Sequence, residues 1–508
     1  MRMPWVFPWV LAMAAFLAMM GCSEEETSPP LDGDEESSLD GDEESSLEDE
    51  QSEDELSEEG EGDGDGDGDV EAAPPMPVAL CGMESYELLP RAQVGALLAW
   101  EEYPLFDMTP ATIDNLMEKS GYTALSPVPY GGKAYRIRYT TQDKGESVEA
   151  TAVVAVPANA EGIEDKSFPY ALFLHGTTGF SDPCAPSRRD DGPAQGVLLA
   201  ALGFITVLPD YIGLAGFGEP STAHHGYLVG EQTAIGSWDA LRAAEVFLSE
   251  QLADEVHANG QTVVWGGSQG GHAAMVTELY GPYYAPEYDV KAVVSLIPPL
   301  TLHPLAEAGL TTFSPPTVAF LAVLTTMRAW YGAPGSMAGV LTNTEPYFLA
   351  ENAEEYVFVE EECNAGDDLE ASTLEEIYAA EFITAVRAGD WESLEPWNCY
   401  LSENDLTLTS VAPLRQTPTL AVFSELDDLV ITAPQREAYD ALCEAGYQME
   451  YIECTAAGHS EGAVWSLPEQ LDWIRARLAG EPIATERLCT RGAPVCCSAT
   501  PEEKCAAE

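Results

Sequence analysis

Thr262 to Met275 reads TVVWGGSQGGHAAM, and the rest of the chain is interpreted around it. Thr262 to Trp265 is β-branched or aromatic, the composition of a buried strand. Gly271 to Tyr280 has helical composition. Between them lies Gly266-Gly267-Ser268-Gln269-Gly270, a G-x-S-x-G. Strand, sharp turn with serine, then helix is the context of a nucleophile elbow. Such a turn strains the serine backbone and demands small neighbours. Glycine at 266, 267, 270 and 271 keeps every Cβ out of it.

Working outward, Lys133 to Thr141 and Ser147 to Pro157 alternate apolar and polar residues. With Asp143-Lys144-Gly145 between them, they predict an antiparallel hairpin. The pattern then changes to strand, loop, helix. Apolar strands are expected at Tyr170–Leu174, Gly203–Leu208, Thr262–Trp265, Lys291–Ile297, Pro418–Phe423 and Gln448–Glu453. Helical stretches fall at Ala194–Leu202, Ala234–Gln251, Pro434–Ala445 and Leu467–Leu478. Alternation of this kind implies a parallel sheet covered on both faces. Leu88 to Met117 reads as helical or irregular. Residues 298–414 are too long for a loop. Their Ala, Leu, Met, Phe and Trp content predicts a helical cap inserted between late strands. The core is therefore read as residues 80–297 and 415–480.

The ends of the chain carry different information. Arg2 and the apolar run Trp5–Met20 predict an export signal, too short to be a comfortable membrane span. It ends in Met19-Met20-Gly21-Cys22, which resembles the lipobox of bacterial lipoproteins. Cys22 is thereby the expected lipidated residue, and residues 1–22 the signal peptide. With Ser23 next and no Asp there, outer-membrane sorting is favoured, ordinary secretion being the alternative. Residues 23–72 hold 25 acidic residues and no Lys or Arg, and LDGDEESS repeats within them. They predict an extended acidic tether. Asp63, Asp65, Asp67 and Gly68 mimic a calcium loop, but Pro74 stands where the bidentate Glu would be needed.

The net charge is −66, and beyond the tether 62 acidic residues still face 20 Lys and Arg. Nucleic-acid phosphates would be repelled, so they are excluded as partners. Of 11 cysteines, ten remain after Cys22, an even number that suits up to five disulfides in an exported chain. Cys443 with Cys454 and Cys363 with Cys399 are the pairings expected from proximity alone. Residues 481–508 form a Cys-rich tail. Cys496-Cys497 adjacency without nearby His argues against zinc, and His224-His225 and His272 lack a metalloprotease spacing. No metal, cofactor or obligate protein partner is expected.

A serine hydroxyl needs a base within reach and a group to orient that base. Of seven histidines, only His459 lies beyond the strand at Pro418. It sits on a Gly-flanked loop after the last predicted strand. The acid should leave the end of Pro418–Phe423. Asp427 is taken, with Asp428 and Glu425 as rivals. Two backbone N–H groups should face the developing oxyanion. Gln269, directly after the serine, supplies one. Thr177, in the HG loop His175-Gly176-Thr177-Thr178-Gly179, supplies the other. His175 is expected to brace that loop.

Several segments occur together in order. They are Tyr135-Arg136-Ile137-Arg138-Tyr139 with Ala150-Thr151-Ala152-Val153-Val154, then HGTTG followed by Cys184-Ala185-Pro186-Ser187. Pro209-Asp210-Tyr211-Ile212-Gly213, Gly226-Tyr227-Leu228-Val229-Gly230, Trp238-Asp239-Ala240-Leu241-Arg242-Ala243-Ala244 and GGSQGGHAA follow. Over roughly residues 85–480 the chain resembles the secretory lipase family of α/β-hydrolases. The resemblance implies an α/β-hydrolase fold, a mostly parallel sheet with a helical cap. It also implies acyl-ester hydrolysis, triacylglycerols among the substrates, through Ser268, Asp427 and His459. Ser424 departs from the family's G-x-x-D-x-x-V, where glycine would stand. Peptide or polyester cleavage on the same scaffold, and a non-catalytic surface binding protein, are the alternatives to be separated.

Overall fold

In a computed structural model, residues 74–119, 125–158, 166–333, 337–359, 363 and 369–505 are described. The signal segment, Cys22, the acidic tether and the Asp63–Gly68 loop lie outside the described residues.

The hairpin forms as its alternation requires. β2 (Gly131–Asp143) and β3 (Glu146–Ala158) pair antiparallel down to Asp143 opposite Glu146. Lys144 at φ 51° and Gly145 at φ 77° make the two-residue turn. Two left-handed residues match the natural twist of the flanking strands. A short strand precedes the hairpin, β1 (Leu97–Glu102), and it pairs antiparallel with β2. Sequence reading missed it: LLAWEE has no β-branched residue and lies on an edge, half exposed.

The parallel strands follow in rhythm: β4 (Ser167–Leu174), β5 (Ile205–Pro209), β6 (His257–Gly267), β7 (Asp289–Leu296), β8 (Thr419–Ser424) and β9 (Met449–Cys454). The sheet order is β1-β2-β3-β5-β4-β6-β7-β8-β9. From β5 onward every neighbouring pair is parallel. Each central strand is buried on both sides. Along β4, Tyr170, Leu172 and Leu174 enter one core while Ala171 and Phe173 enter the other. The first core is closed by α3 (Gly230–Gln251), α4 (Gln269–Tyr284) and α10 (Thr432–Glu444). The second is closed by α1 (Pro110–Lys119), α2 (Asp191–Ala201) and α11 (Leu467–Leu478). This is the α/β-hydrolase fold.

Between β7 and β8 the chain leaves the sheet and builds a third hydrophobic cluster of its own. Its helices are α5 (His303–Gly309), α6 (Pro315–Tyr331), α7 (Leu349–Val357), α8 (Ala380–Arg387) and α9 (Trp397–Asn404). Tyr227, Leu228 and Phe180 from the sheet side join that cluster and tie it to the core.

Five disulfides are present among the described residues, and neither expected pairing is among them. Cys443 pairs with Cys489 and Cys454 with Cys497. Cys443 packs against the first core, while Cys454, the last residue of β9, packs into the second, so two residues close in sequence serve opposite faces of the sheet. Cys363 pairs with Cys184, and Cys399 with Cys81. Cys496 pairs with Cys505. The tail runs beside β9: Cys489 N–H donates to Met449 O, and Val495 N–H to Glu453 O. An edge strand is thereby covered.

Candidate active site

Loops at the carboxyl ends of four strands, β4, β6, β8 and β9, carry the expected residues. At the end of β6 the chain turns through Ser268 at φ 58°, ψ −118° and enters α4 at Gln269. A non-glycine residue held there is strained. The strain is over-determined by close packing. A Cβ on Gly270 would lie 1.9 Å from Leu174 O, and one on Gly266 2.2 Å from Gly270 O. Gly267 is different: the nearest atom to a Cβ there is 3.8 Å away, ordinary contact. Sequence reading treated all four glycines alike, and Gly267 is the one that this crowding does not require.

His459 Nε2 stands 2.9 Å from Ser268 Oγ. His459 Nδ1 stands 2.9 and 2.8 Å from the two oxygens of Asp427. Asp427 Oδ1 also accepts from the N–H groups of Leu429, at 3.0 Å, and Val430, at 2.9 Å. With the carboxylate accepting at Nδ1, Nε2 is left to take a proton from the hydroxyl. The rivals are placed elsewhere. Asp428 is exposed. Glu425 accepts from Ala456 N–H at 2.8 Å and Thr455 Oγ1–H at 2.7 Å.

Those contacts hold the loop that carries His459. Glu461 accepts from Gly458 N–H at 2.6 Å. Leu426 N–H donates to Ala457 O at 2.8 Å, joining the acid's turn to the histidine's. Ser424 Oγ–H donates to His459 O at 3.3 Å. Ser424, at the end of β8, is thereby tied to the backbone of the histidine itself. The Ala456 N–H, and then the Thr455 hydroxyl, hold the Glu425 carboxyl below the usual range.

Gln269 and Thr177, the two residues expected to donate N–H groups, lie on the two loops beside Ser268. As the first residue of α4, Gln269 has no carbonyl one helical turn back to receive its N–H. Its side-chain Nε2 lies 2.9 Å from His225 Nε2. Thr177 Oγ1 lies 2.8 Å from the Tyr227 hydroxyl. His175 is buried, with its ring 4.2 Å from that of Tyr211, and burial lowers its pKa to about 4. The two adjacent histidines diverge: His224 is exposed, while His225 is buried and lowered to about 3, also by burial. His272 is buried in α4 and reaches Asn404 O at 2.7 Å. In the sequence, His224, His225 and His272 were weighed only as metal ligands. The signal that could have found His225 is its setting between the motif that follows β5 and the one that leads into α3.

An apolar pocket opens on Ser268. Leu302, Phe320 and Leu401 from the inserted helices form one wall, and Tyr227 and Val430 from the core form the other. A smaller hollow, lined by Thr177, Phe180, Ala322 and Cys363, lies beside it. Tyr227 and Ala319 line both. A nucleophile beside an apolar cavity with few polar groups suits an acyl substrate.

The secretory lipase family matches the chain over residues 196–302 and 370–486. A secreted triacylglycerol lipase of Malassezia globosa is 26% identical over 361 residues, 68% of this chain and 72% of that protein. Among solved structures, a ligand-bound rice cell wall degrading esterase from Xanthomonas oryzae superposes with TM-score 0.62 at 20% identity. It covers 76% of this chain and 99% of its own. Candida antarctica lipase A in its closed state superposes with TM-score 0.57 at 15% identity, covering 86% and 94%. At such identities these structures bear on the fold alone.

Proposed function

We propose that this chain, a serine ester hydrolase of the secretory lipase family, cleaves acyl esters through Ser268, His459 and Asp427. Ser268 Oγ attacks the ester carbonyl while His459 Nε2 takes its proton. The C–O bond to the alcohol then breaks, and His459 returns the proton to the departing alkoxide. Water, deprotonated by the same nitrogen, releases the acid from Ser268. Asp427 holds the ring in the tautomer that leaves Nε2 free, and stabilises the imidazolium formed in each half-reaction. The backbone N–H groups of Gln269 and Thr177 receive the oxyanion, a contribution of about 10²–10³ in rate per donor in comparable enzymes.

The observation that carries this reading is the hydrogen-bonded row Ser268–His459–Asp427, with separations of 2.9 and 2.8 Å. The apolar cavity supports an acyl chain as the bound group. The relative named as a triacylglycerol lipase supports acylglycerols among the substrates. Residues 298–414 then act as the cap that shapes the acyl site. Ser268→Ala is expected to abolish p-nitrophenyl ester hydrolysis and fluorophosphonate labelling. Hydrolysis undiminished in that variant would remove the assignment.

Export is part of the same proposal, supported by the relative described as secreted, by the disulfides and by the apolar leader. Cys22 anchors the chain to the outer membrane by lipid, with residues 23–72 as spacer. Radiolabelled palmitate should enter the wild-type chain and not Cys22→Ser; equal labelling leaves plain secretion.

A further inference from the structure

We propose that His225, backed by Tyr211, is a positioning residue that sets the two oxyanion-binding loops in register by holding the Gln269 side chain. The proposal rests on the reading of Ser268 as nucleophile.

His225 Nδ1 lies 3.3 Å from Ile212 O. A carbonyl oxygen only accepts, so Nδ1 carries the ring proton and Nε2 offers a lone pair. Gln269 Nε2 is 2.9 Å from that lone pair and donates to it. The direction of the bond is thus determined by chemistry on both sides. Burial keeps the imidazole neutral, which preserves the acceptor. Gln269 Oε1 is buried with no hydrogen-bond partner. An unpaired buried carbonyl favours rotation of the carboxamide toward a donor. The bond to His225 opposes that rotation.

The His225 ring stacks on Tyr211 at 5.7 Å and 9°. Tyr211 O–H donates to His175 O at 2.9 Å, and the His175 ring also lies against the Tyr211 ring, at 4.2 Å. His175 opens the loop that carries Thr177. One continuous row of side chains therefore runs from the loop after β4 to the first residue of α4. The two N–H groups assigned to the oxyanion come from these two segments, and both must converge on one oxygen. A buried histidine that merely satisfied its own hydrogen bonds would affect stability and substrate turnover without selectivity for the charged intermediate.

The test uses the full chain with His225→Ala, His225→Gln, Gln269→Ala and the double variant His225→Ala/Gln269→Ala. The readouts are kcat, KM, melting temperature and affinity for a trifluoromethyl ketone that mimics the tetrahedral intermediate. His225→Ala should lower kcat by about a hundredfold, weaken the ketone in proportion and leave KM nearly unchanged. His225→Gln keeps an acceptor oxygen and should recover at least about tenfold of that loss. The double variant should be no worse than His225→Ala alone, since both act through one contact. If His225→Ala does not fold, Gln269→Ala carries the test and should show the same split between kcat and KM. Full kcat in either single variant, kcat loss without ketone loss, or losses that multiply in the double variant would each overturn the proposal. Failure of the nucleophile reading looks different: the wild-type chain itself would not react with a fluorophosphonate.

Discussion

The serine and the histidine are held by opposite means. Ser268 sits in a turn where backbone meets backbone, with Gly270 against Leu174 O and Gly266 against Gly270 O. His459 sits on a loop held by dispersed polar contacts, from Glu425, Glu461 and Ser424. Covalent geometry and steric crowding fix the first, so few residues are permitted there. Hydrogen bonds from several partners fix the second, and each can weaken alone. A position fixed by sterics fails abruptly when altered. One fixed by shared tethers should loosen by degrees.

The sharpest way to break this contrast is at the elbow. Gly270→Ala drives a Cβ into the Leu174 carbonyl and should cost about 3 kcal/mol or more. Gly267→Ala, with 3.8 Å of room, should leave stability within about 1 kcal/mol. Paired denaturant titrations read the difference, and equal costs would show that crowding is not what holds the turn.

On the histidine loop the effects should be smaller and should fall on rate. Glu425→Ala removes the acceptor for Ala456 N–H and Thr455 Oγ1–H and should lower kcat about tenfold, with little change in KM. Its effect on stability has a definite sign with pH. The folded pKa of Glu425 is depressed. Its contribution is therefore full above the unfolded glutamate range and lost as pH falls through the folded value. The melting-temperature gap between wild type and Glu425→Ala should be open at neutral pH and close in acid. A gap that widened in acid would contradict the assignment. Ser424→Gly removes one bond of 3.3 Å to His459 O. It should lower kcat by only about two- to fivefold, within the range of one neutral hydrogen bond.

Legibility in the sequence followed the same division. The hairpin, the six parallel strands and the helix Leu467–Leu478 are local patterns of hydrophobicity, and each appears where periodicity put it. β1 escaped because an exposed edge strand has no buried face to leave a pattern. The disulfides escaped because pairing depends on which side of the sheet a cysteine reaches. Cys443 and Cys454 are close in the chain and on opposite sides. At the candidate site, Ser268, Asp427 and His459 were legible through order and position after strands. The roles of Glu425, Ser424 and Tyr227 were not, since their partners lie on other loops.

The places of the hairpin and of the six parallel strands along the chain, the glycine-crowded serine turn and the candidate acid and base were therefore legible in the sequence alone, because each depends on residues within one turn or one strand. The cavity wall, the cysteine pairing, the tethers on His459 and the row from His175 to Gln269 were decided only by the tertiary structure. Each is a contact between segments far apart in the chain. Which such segments meet is settled by the packing of the whole sheet and its helices, and no local window of sequence contains that information.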